Sequence, residues 1–131
     1  MLLVDDSIVR GTTSKARVTS LKEAGAKEVH VLISCPPHRH PCVYGIDFPE
    51  SGELIASGRD SAEIGRALGA DAVVYQELDG LRASIREAAL PETSGGSRSE
   101  NPCTACLDGC YPTDVSIGLK LAEARRKDRG A

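Results

Sequence analysis

A short apolar strand runs straight into two carboxylates, a Gly-Thr-Thr-Ser helix start and then a second β-branched run, and this order most limits the fold open to the 131 residues. Leu2-Leu3-Val4 reads as a buried strand, and Asp5 to Thr12 as a polar loop. From about Thr13 to Ala24 the chain reads as a helix, with Val18, Leu21 and Ala24 spaced by three to pack on a sheet. Gly25 stops that helix. Glu28–Ser34 (EVHVLIS) is the second strand. Strand, loop, helix and strand in this order imply a right-handed crossover and a parallel sheet, hence an α/β fold. A buried parallel strand needs neighbours on both sides, and nothing precedes Leu2 except Met1. The sheet is therefore expected either to be built from later strands or to lack a front part of the chain.

Residues 35–50 (CPPHRHPCVYGIDFPE) hold four prolines, two histidines and two cysteines and are predicted to form an ordered loop. A short helix is predicted over Glu53–Ala56. A firmer one covers Ala62–Leu68, capped by Ser61, with Glu63 and Arg66 toward water and Ile64 and Leu68 on one apolar face. Gly69 ends it. Ala72–Gln76 is the third strand, and Leu78, Leu81, Ile85 and Ala89 mark a helix up to Leu90. Thr93–Asn101 (TSGGSRSEN) is a polar linker, Pro102–Thr113 a cysteine-rich turn, and Val115–Arg126 a helical tail with a charged, frayed end. The chain thus divides into residues 1–92, the sheet part, and residues 93–131, the linker, cysteine-rich segment and tail.

Composition excludes several classes of function. Apolar residues make up 40% and charged residues 27%, as in soluble globular proteins. A net charge of −3 argues against a basic nucleic-acid surface, so Arg125-Arg126-Lys127 reads as a solvated helix end. No apolar run approaches the roughly 18 residues of a membrane span, and no basic segment followed by an apolar one opens the chain. The expected location is the cytoplasm, with neither membrane nor nucleic acid as partner. Five cysteines, an odd number without an export signal, fit metal binding or catalysis better than a disulfide scaffold.

Two adjacent carboxylates at the C-terminal end of a parallel strand stand where open α/β sheets bind ligands. Gly11 lets the backbone approach a ligand closely, and the hydroxyls and free N–H groups of Thr12, Thr13 and Ser14 suit a phosphate. Asp5 and Asp6 suit ribose hydroxyls or a magnesium ion. The pattern points to a sugar phosphate, against the plainer alternative of a solvated turn with an ordinary helix cap.

The stretch Leu2-Leu3-Val4-Asp5-Asp6-Ser7-Ile8-Val9-Arg10-Gly11-Thr12-Thr13-Ser14 resembles the phosphoribosyl-pyrophosphate (PRPP) motif of type I phosphoribosyltransferases. Its Ser-Ile-Val-Arg-Gly-Thr-Thr-Ser variant is similar to that of the amidophosphoribosyltransferase family, glutamine-dependent enzymes that open purine synthesis. Glu23-Ala24-Gly25-Ala26-Lys27-Glu28-Val29-His30-Val31 resembles the family's helix-to-strand passage. Pro36-Pro37 and His40-Pro41-Cys42-Val43-Tyr44-Gly45-Ile46-Asp47 resemble its next loop. Gly69-Ala70-Asp71, Leu78-Asp79-Gly80-Leu81, Cys103-Thr104-Ala105-Cys106 and Tyr111-Pro112-Thr113 resemble later segments.

The resemblance implies a partial type I phosphoribosyltransferase fold with a parallel sheet and a C-terminal cysteine-rich segment. It covers nearly the whole chain but at most the last third of the family's length. It implies that Asp5 and Asp6 contact ribose and help hold Mg2+, and that Ser7, Arg10, Gly11, Thr12, Thr13 and Ser14 complete the PRPP site. The implied reaction makes 5-phosphoribosylamine from PRPP and glutamine-derived ammonia, in a full-length protein that is a homo-oligomer. The glutaminase domain and the pyrophosphate-side segments would lie outside these residues, leaving the isolated chain inactive.

Cys103-x-x-Cys106 has the spacing of a chelating pair, open to zinc, a redox couple or iron–sulfur. The resemblance implies a [4Fe–4S] cluster with Cys42, Cys103 and Cys106 as three ligands and the fourth upstream; Cys35 and Cys110 take no implied role. His38 and His40 read as loop histidines making local hydrogen bonds, and His30 as structural. Two rivals stand beside this reading. One is a non-catalytic PRPP-binding regulator of purine genes, in which a DNA-binding domain precedes the same motif. The other is a zinc scaffold using Cys103, Cys106 and Cys110.

Overall fold

A computed structural model describes residues 1–45, 51–88 and 102–118. The elements are β1 (Leu2–Asp5), α1 (Thr12–Glu23), β2 (His30–Ile33), a 3-10 turn (Ser51–Glu53), α2 (Ser61–Leu68), β3 (Ala72–Tyr75), α3 (Leu78–Ala88) and α4 (Ala105–Asp108). Among the described residues the sheet has three strands in the order β1-β2-β3, all parallel. In the register, Leu3 lies beside Val31 and Val31 beside Val73, while Asp5, Ile33 and Tyr75 form the next row toward the strand ends. The α/β architecture with a parallel sheet is therefore as the sequence indicates.

The core lies on one face of that sheet. Val31, Ile33 and Val73 pack with Val18 of α1, with Ile64 and Leu68 of α2, and with Ile8, Val29, Ile55 and Ala56 from the connections. On the other face Leu2 and Val4 are each 69% exposed and Val74 58%, so the described helices cover only one side. The expectation of a fully buried first strand is corrected on this point: among the described residues β1 is an edge strand, and of its apolar side chains only Leu3 turns partly inward.

The helices follow their sequence signals with local differences. α1 buries Val18 and half-buries Leu21, but Ala24 is exposed because the helix ends at Glu23. β2 is shorter than Glu28–Ser34, since only four of its residues find partners on both neighbours. β3 likewise stops one residue before Gln76. α2 is capped by Asp60 rather than Ser61. The Asp60 carboxylate accepts from the Glu63 N–H at 2.7 Å, and Glu63 accepts from the Asp60 N–H at 2.9 Å, a reciprocal box that satisfies two N–H groups. The helix predicted at Glu53–Ala56 is instead the 3-10 turn at Ser51–Glu53, and Leu54, Ile55 and Ala56 follow it into the core. The end of the α3 prediction (Ala89, Leu90), the linker and division point near residue 92, and most of the tail lie outside the described residues.

Ile64 is fully buried and joins α2 to the sheet. Replacing a buried Ile by Ala typically costs about 2–5 kcal/mol through lost transfer energy and the cavity left behind. Ile64→Ala should therefore lower unfolding free energy in urea by that order, while Arg66→Ala on the exposed face stays within about 0.5 kcal/mol. A loss below about 1 kcal/mol for Ile64→Ala would show that α2 does not anchor the core.

Candidate active site

The polypeptide leaves β1 at Asp5 and is held over the strand ends by its neighbour. The Ser34 N–H donates to the Asp5 carbonyl at 3.1 Å and the Cys35 N–H to the Asp6 carbonyl at 3.0 Å. Both carboxylates thus sit on a loop anchored by backbone. The Asp6 carboxylate accepts from the Ser7 N–H at 2.8 Å, and Asp5 accepts from the Asp6 N–H at 3.2 Å. Ile8 is buried in the core, and Val9 accepts from the Ile55 N–H at 2.9 Å, so the middle of the loop is pinned to the Leu54–Ala56 segment.

Gly11 then opens α1 with φ +82°, in the left-handed region that favours glycine. A Cβ built there would lie 2.4 Å from Ile55 Cδ1 and 3.0 Å from Leu68 Cδ2, so a side chain is also excluded by space. Because the cap is glycine, no side chain shields the first N–H groups of α1, and no acidic residue stands in its first turn. α2, with its capping box, shows the ordinary alternative. An uncapped helix start beside hydroxyl-bearing Thr12, Thr13 and Ser14 is suited to an anion.

Residues 5–14 and Arg17 line one cavity of about 420 Å³. Every residue assigned to the sugar-phosphate site from sequence (Asp5, Asp6, Ser7, Arg10, Gly11, Thr12, Thr13 and Ser14) is on its wall. Arg17 was not among them. Its guanidinium pairs with the Asp5 carboxylate, and the one signal for it was helical spacing, four residues after Thr13. Arg10 pairs with Glu53 across the rim at 3.1 Å. A second cavity of about 510 Å³ lies between Pro36-Pro37 and the end of β3, without paired acids.

The cysteine-rich segment folds back onto the loop after β2. The N–H groups of Arg39 and His40 donate to the Cys106 carbonyl at 3.0 and 3.1 Å. The Tyr111 hydroxyl donates to the Pro41 carbonyl at 2.6 Å, and Tyr44 and Thr113 hydroxyls are 2.9 Å apart. The imidazole of His40 lies against Gly109, where a Cβ would come within 3.1 Å of it. Arg82 of α3 reaches Thr104 and Asp108 at 2.9 Å each, and Thr104 donates to Asp108 at 2.8 Å. These ties join the loop that carries Cys42 to the segment that carries Cys103 and Cys106. Burial pushes the Cys106 thiol up, its own backbone hydrogen bond opposes this, and the neighbouring Cys42, Cys35 and Cys103 push it further. Burial followed by the charge of Asp6 raises Cys35, whose Sγ lies 3.7 Å from His38 Nε2. Burial lowers the His38 pKa. It also pushes the Tyr75 phenol up to about 12, keeping that hydroxyl neutral. His30 pairs with Glu28 at 3.2 Å, outside the cavity. Among the described residues, no three His, Cys, Asp or Glu side chains stand close enough to hold a single metal ion.

No protein-family model matches the chain. Curated relatives match it closely. It is 47% identical over 117 residues to an amidophosphoribosyltransferase of Methanocaldococcus jannaschii, covering 89% of this chain and 22% of that protein. To the amidophosphoribosyltransferase of Bacillus subtilis it is 47% identical over 115 residues, covering 88% and 23%. The solved glutamine PRPP amidotransferase of B. subtilis, complexed with ADP and GMP, superposes with a TM-score of 0.70 at 47% identity, over 87% of this chain and 24% of that one. The parallel sheet that carries the glycine-opened helix and the two strand-end acids matches part of this solved PRPP amidotransferase. The chain corresponds in sequence and fold to a C-terminal segment of amidophosphoribosyltransferases. It spans less than a quarter of the length of these curated relatives.

Asp108 gives the tie between α3 and α4 a pH dependence. Burial alone would raise its pKa, but hydrogen bonds from the Cys110 N–H and Thr104 hydroxyl, with the Arg82 charge, outweigh burial and hold it below the usual range. A folded pKa below the unfolded one adds stability above the ordinary carboxylate pKa and loses it as pH falls through the folded value. The melting temperature should therefore drop on acidification below about pH 4, with a shallower acid limb in Asp108→Asn. Parallel acid limbs for the two proteins would contradict this role.

Proposed function

We propose that this chain supplies the ribose-5-phosphate half of the PRPP site in an enzyme that transfers the phosphoribosyl group to ammonia released from glutamine, giving 5-phosphoribosylamine for purine synthesis. The observation that carries the reading is the shared cavity. Asp5 and Asp6 line it together with the Gly11–Ser14 helix start. Such an arrangement suits a ligand with vicinal hydroxyls and a phosphate a few bonds apart. The 5-phosphate would take the N–H groups and hydroxyls of Gly11, Thr12, Thr13 and Ser14, with Ser7 and Arg10 at the rim. The two carboxylates would hold the ribose hydroxyls.

Positive charge develops on the ribose ring as pyrophosphate departs, and fixed carboxylates beside the ring stabilise it without reorganising. Holding the phosphate fixes C1 relative to the incoming ammonia. Mg2+, when bound near Asp5 and Asp6, supplies charge neutralisation for the leaving pyrophosphate. The glutaminase domain and the pyrophosphate-binding groups belong, in this reading, to the rest of the relatives' length. These residues by themselves would then bind ligand without turnover. A cytoplasmic location and homo-oligomeric assembly of the longer protein go with it. The relatives named above are enzymes, which favours catalysis over the regulator reading.

The thiols of Cys42, Cys103 and Cys106 fit a soft metal group in kind, and hydrogen bonds from Arg39, His40 and Tyr111 tie the loop that carries Cys42 to the segment that carries Cys103 and Cys106. In a [4Fe–4S] centre they would be three ligands. The cluster would act as a crosslink between the loop after β2 and the C-terminal segment, where closing a long loop stabilises most.

Titration calorimetry of PRPP with Mg2+ against the 131-residue chain tests the site. Asp5→Asn combined with Asp6→Asn should weaken binding at least about tenfold, and Thr12→Val several-fold, as lost charge-assisted and neutral hydrogen bonds do. Unchanged affinity in the double variant would overturn the assignment.

The cluster is tested by anaerobic reconstitution of a longer family protein carrying this segment, with iron and sulfide counted per chain. Four irons per chain are the expectation for such a centre, lost in Cys103→Ser and Cys106→Ser. Stoichiometric zinc without iron would contradict it.

A further inference from the structure

Arg17 is the feature of the cavity that the proposed function does not use. It lies on α1 four residues after Thr13 and three after Ser14, hence on the same helix face. Helical side chains tilt toward the N-terminus, so its guanidinium is carried back over the first turn. That is where Gly11–Ser14 present their N–H groups, and Arg17 and this turn line one cavity.

The cavity wall carries two carboxylates, Asp5 and Asp6, and two guanidiniums, Arg10 and Arg17. Arg10 is drawn to the rim by Glu53. Arg17 is held instead by Asp5, one of the acids assigned to ribose. Its side chain is 49% exposed against 22% for Asp5, so the pair stands at the mouth rather than in the core. Exposed pairs of this kind are weak and are readily exchanged. Once Asp5 turns to a sugar hydroxyl, Arg17 can turn to the phosphate held one helical turn away in the same cavity.

We propose that Arg17 is a second phosphate-binding residue, stored on Asp5 in the empty site and exchanged onto the phosphate when a pentose 5-phosphate enters. The exchange makes the site selective for ligands carrying hydroxyls and phosphate together. A ligand with hydroxyls alone must break the Arg17–Asp5 pair without compensation. A phosphate alone leaves Asp5 in competition for Arg17. This proposal rests on the ribose-phosphate reading above.

Calorimetry with the 131-residue chain and three probes, ribose 5-phosphate, ribose and inorganic phosphate, tests it. Arg17→Met should bind ribose 5-phosphate at least about tenfold more weakly, as loss of a charge-assisted hydrogen bond does. The same variant should bind ribose more tightly than the parent, because Asp5 is released. Arg17→Lys should restore part of the phosphate affinity but less than Arg, lacking the planar fork. Equal melting temperatures for parent and variants establish that folding is intact, as expected for a half-exposed side chain. If Arg17→Met binds ribose 5-phosphate as tightly as the parent, or more tightly, Arg17 is only a lock on Asp5 and the exchange is wrong. If the parent does not bind ribose 5-phosphate, or binds it equally after Asp5→Asn with Asp6→Asn, the underlying site reading fails and the proposal with it.

Discussion

The close approach at Gly11 is the constraint on which the rest depends. With its backbone in the left-handed region and Ile55 and Leu68 pressed against the place of a Cβ, Gly11 joins the start of α1 to α2 and the Leu54–Ala56 segment. The contact fixes where α1 begins, and so where its free N–H groups point. It also fixes the loop between β1 and α1, because Ile8 is buried beside it and the Val9 carbonyl accepts from Ile55. The two carboxylates at the strand end therefore share one cavity with a helix start whose position is fixed. A residue with a side chain at position 11 would have to displace core atoms as well as adopt an unfavourable backbone, so packing and ligand geometry share one position.

The cavity and the cysteine segment are two parts of one surface. Ser34 and Cys35, directly after β2, hold the backbone of Asp5 and Asp6. Four residues further on, Arg39 and His40 hold the carbonyl of Cys106, and the Arg39 guanidinium donates to the carbonyls of Ala56 and Arg59 at 3.0 Å each. The loop after β2 is thus a strap between the acid pair, the α2 approach and α4. Cys35 lies within it, feeling the charge of Asp6 while itself acting on Cys106. A crosslink through Cys42, Cys103 and Cys106 would stiffen this strap.

Much of this was legible in the sequence, because the strong signals are local. The strand–acid–glycine–helix order singled out Asp5, Asp6, Ser7 and Arg10 to Ser14, all of which line the cavity, and the period of α2 placed Ile64 and Leu68 in the core. What escaped was set by tertiary partners. Asp60 rather than Ser61 caps α2 because the Asp side chain meets Glu63 in a reciprocal box, a pattern visible only if the helix is started one residue earlier. The burial of β1 was overestimated because apolar composition does not say whether both sheet faces are covered. Arg17 looks like any solvent-facing helical arginine until the strand end brings Asp5 to it. The links from Arg82 to Thr104 and Asp108 join residues more than twenty apart, and no spacing rule reaches that far.

The most direct measurement is amide-resolved NMR of the 131-residue chain titrated with ribose 5-phosphate. If the glycine-opened helix start holds the phosphate, the largest saturable shifts should fall on the N–H groups of Gly11, Thr12, Thr13 and Ser14, with smaller ones at Asp5 and Asp6. Saturable shifts centred on Pro36-Pro37 neighbours and the end of β3, with Gly11–Ser14 unmoved, would place the ligand in the cavity beside β3 and contradict the assignment.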